Sequence, residues 1–318
     1  MPEKTSKKEV HQPDDRLFKI VMRKKEGAAE YLKSHYPELA ELLDLETLTI
    51  QPEKEYIPDF RSFDSDISYK CQFKNSDQKV NINFIWENKS NPESYVSIQL
   101  GLYLFLRYYD MVKGKDKKLE PIIPLIFYNG KEDWIPKRVA ELFEDHPFFD
   151  FFQSYLPDYN FHFTNIGKVP ESELLKIEMA FFKSAMIAMA NKHNYNLLVQ
   201  KLSIIFDLDD NDNVISITKY VLGIYERLPE QVKKDVAQLD YKTKSKIMST
   251  LEMLMEEGRA EGEIKGEKKG KIIGREEGID LVLNVAELLR EDKSVKQIAT
   301  ILGIEEKDVL EIKTRLRM

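Results

Sequence analysis

Cysteine is almost missing from this chain. Cys71 is the only one in 318 residues, which excludes an internal disulfide and any zinc site built from several thiolates. The five histidines (His11, His35, His146, His162 and His193) form no ligand-spaced pair, so a histidine metal site has no motif to rest on. No stretch of about eighteen apolar residues occurs, and the opening MPEKTSKKEVHQPDD is polar throughout. Neither a membrane span nor a secretory leader is expected, and the predicted location is cytoplasmic. A basic surplus is lacking too. The formal net charge is −7, whereas a protein that coats nucleic acid neutralises phosphates with an excess of Lys and Arg. Contact with DNA therefore needs a local basic surface or bound cations. Nor is there a phosphate-cradling loop, because the glycines of the C-terminal third do not fit G-x-x-x-x-G-K-S/T.

What is present is a globular composition, 42% hydrophobic and 32% charged. It is long enough for one large core, or a moderate core with a small second unit. Residues 1–12 read as disordered. From Pro13 the spacing of Leu17, Phe18, Val21 and Met22, then Ala28, Ala29 and Leu32, is that of amphipathic helices. Asp14 or Asp15 can cap the first of them, where a carboxylate meets unpaired backbone N–H groups.

The period then changes to two. Ile67, Tyr69, Cys71 and Phe73 alternate with polar residues. Asn75-Ser76-Asp77 makes a turn, and Val80, Ile82, Phe84 and Trp86 alternate again. Two such runs about a turn predict an antiparallel hairpin. A helix over about 92–112 follows, then the apolar run PIIPLIFYNG at 121–130, a buried strand. The aromatic segment HPFFDFFQSYLPDYNFHF is expected to pack against the sheet.

The chemistry-bearing residues gather on this hairpin and the helix after it. Residues two apart on a strand share a face, so Glu87 and Lys89 point one way and Trp86 and Asn88 the other. Asp66, at the start of the preceding strand, can come alongside Glu87; Asp64 is an alternative. Two carboxylates and an ammonium suit phosphodiester hydrolysis. Hard oxygen ligands hold Mg²⁺, which lowers the pKa of a bound water, and the ammonium orients that water or offsets developing charge. By itself Glu-x-Lys is a common salt bridge at a strand end. Gln99 and Tyr103, however, stand at i, i+4 on one face of the next helix, the arrangement found in RecB-like nucleases of the PD-(D/E)XK superfamily.

Four further segments carry a more specific resemblance. They are Asp15-Arg16-Leu17-Phe18-Lys19, Ser65-Asp66-Ile67-Ser68-Tyr69, Ile85-Trp86-Glu87-Asn88-Lys89-Ser90 and Pro124-Leu125-Ile126-Phe127-Tyr128-Asn129-Gly130. Together they resemble the Rpn family of recombination-promoting nucleases, related to the PD-(D/E)XK transposases, over about residues 13–170. Asn129 replaces the histidine frequent in that family, and Lys89 stands where many members have Gln. The resemblance implies an α/β, restriction-endonuclease-like core sheet flanked by helices, with a helical C-terminal extension. It also implies metal-dependent DNA endonuclease activity that promotes recombination or transposition-like events. Asp66 and Glu87 would be ligands to Mg²⁺, and Lys89, Gln99, Tyr103 and Asp15 would complete the catalytic set. The other reading is a catalytically silent accessory protein of the same fold that binds a partner or DNA without cutting.

The expected organisation is a nuclease-like domain over 13–170, a helical extension over 171–254, a glycine-repeat segment over 255–278 and a small helical bundle over 279–318. Glycines at 258, 262, 266, 270, 274 and 278 would cost a helix about 5–6 kcal/mol relative to alanine. They drift by about 40° per step around its axis. The segment reads as a linker or marginal helix, or as a helix through which the C-terminal region forms a homo-oligomer. The last part, SVKQIATILGIEEKDVLEIKTRL, has helix-turn-helix proportions, with Ser294 as N-cap and Gly303 at the turn. Acidic residues Glu305, Glu306 and Asp308 open its second helix, which favours a protein-interaction or capping bundle over DNA reading. The basic stretch Lys113-Gly114-Lys115-Asp116-Lys117-Lys118 is either a backbone-phosphate contact or a solvated loop.

Overall fold

The structure is a computed structural model that describes residues 13–51, 67–74, 81–114, 119–225, 234, 236–237 and 239–317. Its contacts divide the chain into two compact units, residues 1–251 and 252–318.

The first unit is a mixed α/β arrangement. Three helices, α1 (Pro13–Met22), α2 (Lys25–His35) and α3 (Pro37–Leu42), lead into β1 (Leu43–Ile50). Then come β2 (Ile67–Phe73), β3 (Asn81–Lys89), α4 (Val96–Lys113) and β4 (Ile122–Tyr128). After short helical turns that include α5 (Phe149–Phe152), β5 (His162–Asn165) completes the sheet, followed by α6 (Glu171–Leu174), α7 (Ala180–Asn191), α8 (Tyr195–Ile205) and α9 (Asn211–Tyr225). The strand order is β1-β2-β3-β4-β5. β1, β2 and β3 pair antiparallel, whereas β3, β4 and β5 run parallel. The expected hairpin is present as β2–β3, with Ile67 opposite Trp86. Joining β3 to a parallel β4 requires a crossover, and α4 supplies it.

Helices cover both faces of the sheet. The period-two alternation sends Trp86, Leu125 and Phe127 into one core with Leu17 and Phe18 of α1, Tyr31 of α2 and Phe182 of α7. Ile122 and Ile126 go to the other face, against Val96, Leu100, Tyr103 and Leu104 of α4. Because β3 and β4 are in register with Trp86 beside Leu125 and Glu87 beside Ile126, Glu87 lies on the α4 face. Helices α7, α8 and α9 pack into the same core as α1, so the chain beyond residue 170 helps to form the body that holds the sheet.

Two differences from the sequence reading stand out here. β1 and β5 were not anticipated: the alternation of β1 is interrupted by a register shift between Asp44 and Thr49, and β5 has only four residues. The aromatic segment also divides. Tyr159, Phe161 and Phe163 pack against the α4-side core, but Phe148, Phe151 and Tyr155 are 80, 76 and 77% exposed. That stretch is built of turns three or four residues long, too short to hold one face toward the sheet, and Phe148 enters them at φ 69°.

α10 (Tyr241–Arg290) starts before the boundary between the two units and is helical throughout the glycine repeat. It is followed by α11 (Val295–Leu302) and α12 (Glu306–Leu316). Val285, Ile298, Ala299 and Val309 form a small core. Ser294 and Gln297 make a reciprocal capping box, and Gly303 ends α11 at φ 68°. Among the described residues no helix is long and apolar enough to cross a membrane.

Candidate active site

Glu87 and Lys89 occupy the last turn of the pleat in β3, where the parallel strands end. In open α/β sheets this is the edge at which ligands bind. Glu87 is 5% exposed. Its Oε1 lies 3.0 Å from Lys89 Nζ and accepts a hydrogen bond of 2.9 Å from Gln99 Nε2. The Gln99 amide is the bridge of the cluster. Its Nε2 also donates to Tyr103 Oη at 2.7 Å, and its Oε1 accepts from Lys89 Nζ at 3.0 Å. Lys89 reaches a second carboxylate, Glu93 Oε2, at 2.6 Å. The i, i+4 spacing of Gln99 and Tyr103 on α4 thus aims both at the end of β3.

Burial opposes the charge on the Lys89 ammonium, but Glu87 and Glu93 together outweigh it and hold its pKa above the ordinary lysine value. An ammonium beside a buried carboxylate is an electrostatic arrangement that can steady an anionic group.

Of the expected residues, Glu87, Lys89, Gln99 and Tyr103 come together. Asp66, with its alternative Asp64, lies outside the described residues, as do the lysines at 115, 117 and 118. Asp15 does not join the cluster: its carboxylate pairs with Lys19 one turn along α1, at 3.1 Å and 30% side-chain exposure. The aspartate brought to the strand ends is Asp14. Its Oδ2 accepts from Lys192 Nζ at 2.7 Å and from Ser90 Oγ at 3.4 Å, and its Oδ1 accepts from Tyr220 Oη at 2.9 Å. Lys192, just past the end of α7, also donates to Asn129 Oδ1 at 3.1 Å. His193 Nε2 donates to the Asn129 carbonyl at 3.0 Å. Burial pulls the Lys192 pKa below the ordinary value, and Asp14 only partly restores it.

These residues form a second polar cluster behind the first, next to Ser90 and tied to it through the backbone. The Asn129 amide donates to the Lys89 carbonyl at 3.0 Å. The sequence held one usable signal for Asp14: it stands three and four residues before the buried Leu17 and Phe18, on their face of α1, while Asp15 is turned away. Lys192 and Tyr220 come from distant helices and carried no local signal. Gly130 follows from packing, because a Cβ there would sit 2.2 Å from the Tyr128 hydroxyl.

Among the described residues no three His, Cys, Asp or Glu side chains converge to hold a metal ion. Mg²⁺ makes a smaller demand, one or two carboxylates with several waters retained. The buried Glu87 carboxylate is a donor of that kind.

A family model described as "Putative transposase, YhgA-like" matches residues 12–216, and the chain belongs to that family. Two relatives come from Escherichia coli (strain K12). One is named "Inactive recombination-promoting nuclease-like protein RpnE", 26% identical over 260 residues that span 77% of this chain and 82% of the relative. The other is named "Recombination-promoting nuclease RpnA", 26% identical over 138 residues, 43% of this chain and 47% of the relative. No solved structure matches.

Proposed function

We propose that this protein is a Mg²⁺-dependent DNA endonuclease of PD-(D/E)XK type. The observation that carries the reading is the convergence of Glu87, Lys89, Gln99 and Tyr103 at the C-terminal edge of the parallel strands. Asp66 and Glu87 hold the metal in this reading. When bound, Mg²⁺ supplies Lewis-acid polarisation of the scissile phosphate and a water acidic enough to attack near neutral pH. The protein's own groups do the placing. Lys89, kept charged by two carboxylates, sits where it can orient the attacking water and balance charge that grows on the phosphate oxygens. Gln99 locks the Glu87 carboxylate and the Lys89 ammonium into one geometry, and Tyr103 locks Gln99. Asp14 takes the supporting role from the first helix that the sequence reading gave to Asp15. The products of such cleavage, DNA ends, are the substrates of recombination.

Incubating the purified chain with supercoiled plasmid and Mg²⁺, with EDTA as control, tests this directly. Wild type is expected to nick, and Glu87→Gln and Lys89→Met to lose nicking while keeping the fold. Equal, EDTA-resistant nicking by all three would mean a contaminant and sink the proposal.

A second reading has an observation of its own. The more extensive of the two matches, over 82% of the relative, is to a protein whose name calls it inactive. On that reading the same cluster is a structural salt bridge and the protein binds DNA or a partner without cutting it. Wild type that retains plasmid in a gel-shift assay yet never nicks it would favour this account.

A further inference from the structure

Helix α4 has a face that the candidate site does not use. Val96, Leu100, Tyr103 and Leu104 pack toward β4. Roughly opposite, Tyr95, Ile98, Leu102, Phe105, Tyr109 and Val112 are 68, 47, 37, 63, 55 and 51% exposed. Their spacing of 3, 4, 3, 4 and 3 is that of a coiled-coil seam, and no charged residue interrupts it. A helix apolar on both sides is ordinarily covered on both, and an apolar stripe this long on a protein surface marks an interaction site.

We propose that α4 pairs with α4 of a second copy, antiparallel about a two-fold axis between Leu102 and Phe105. The stripe is complementary to itself in that arrangement. Leu102 of one copy meets Phe105 of the other, Ile98 meets Tyr109, and Tyr95 meets Val112. Every layer sets one aromatic ring against one aliphatic side chain. A parallel pairing would instead stack Tyr95, Phe105 and Tyr109 on their own counterparts. With aromatic side chains covering about 150–250 Å² each when fully buried, the exposed fractions amount to roughly 600 Å² per copy. Doubling this gives roughly 1,200 Å², the lower bound of a stable specific interface. The contact is isologous and closes on itself, so it stops at a dimer. Gln99 and Tyr103 stand one residue along the helix from Ile98 and Leu102, so the pairing sets two candidate sites on the two sides of one seam.

The full-length protein tests this without any assay of cleavage. Light scattering should give twice the 37.3 kDa chain mass at micromolar concentration. The double substitution Leu102→Glu with Phe105→Glu should return the monomer mass with an unchanged circular dichroism spectrum. Because Cys71 is buried, paired cysteines report the geometry. Ile98→Cys combined with Tyr109→Cys should form a disulfide-linked dimer under mild oxidation, whereas either cysteine alone should not. Those two positions are eleven residues apart on one helix, about 16 Å along its axis, and cannot bond within a chain. A monomeric wild type would overturn the proposal. So would a dimer that survives the glutamates, since association would then run through another surface such as the C-terminal region. If the glutamate variant unfolds, the cysteine pair decides, and absence of its cross-link overturns the pairing.

Discussion

Two lysine–carboxylate clusters sit back to back at the ends of β3 and β4, and they resolve the same conflict in opposite ways. On the α4 face, Lys89 has two carboxylates within 3.0 Å and a bridging amide. Its charge is overdetermined and its pKa is raised. On the α1 face, Lys192 donates to the Asp14 carboxylate and to the Asn129 side-chain amide oxygen. Burial wins there, and the pKa falls. Counter-charges, not depth alone, decide which ammonium is held ready for an anion. In the proposed function the first cluster meets one. The second is built to join α1, α7 and α9 to the strand ends.

The sharpest way to break that contrast is to remove Asp14. Asp14→Ala removes the carboxylate 2.7 Å from the buried Lys192 ammonium and should cost about 3–5 kcal/mol in denaturant unfolding. Asp15→Ala removes a half-exposed pair on the helix surface and should cost less than about 1 kcal/mol. Similar losses for the two would mean that Asp14 does not hold the clamp. On the other face the balance reverses. Lys89→Met and Glu87→Gln should lower plasmid nicking by about 10²–10³-fold, a loss far larger than the unfolding of the population that breaking this buried pair brings. Gln99→Leu should be milder, about 10–100-fold, because it only orients the groups beside it. A nicking rate untouched by Gln99→Leu would break the bridge assigned to that amide.

The smallest effect is in the pH dependence. A raised lysine pKa contributes stability that is complete below the ordinary value and lost as pH climbs through the raised one. A lowered pKa acts in reverse, and stability climbs as pH rises from the lowered value to the ordinary one. Unfolding free energies between pH 8 and 11, compared with Lys89→Met and Lys192→Met, should therefore separate in opposite directions. Parallel curves would show that the two ammonium groups share one environment.

Much of the first cluster was legible in the sequence because its parts are local. Strand alternation puts Glu87 and Lys89 on one face, and helical spacing does the same for Gln99 and Tyr103. The second cluster was not, since Asp14, Asn129, Lys192 and Tyr220 span 206 residues between the outer pair and meet only after the fold is complete. The choice of Asp15 over Asp14 shows the limit well. A motif match picked Asp15, whereas the phase of the buried face of α1 brings Asp14 to the strand ends. The same holds for the sheet, where the hairpin and β4 announced themselves but β1, with its register shift, and the four-residue β5 did not. Propensity left the tail open. Six glycines read as a linker or a helix, and α10 runs through all of them.

That helix has a handedness hidden in its repeat. A period of four exceeds the 3.6 residues of a turn, so the line of glycines from Gly258 to Gly278 advances around α10 in the same sense as the helix itself. A Cβ added at any of the six would meet nothing within 4 Å. A straight neighbour could follow that bare line for only a turn or two. One that followed it throughout would have to coil right-handed, opposite to the left-handed twist that a heptad seam such as that of α4 imposes.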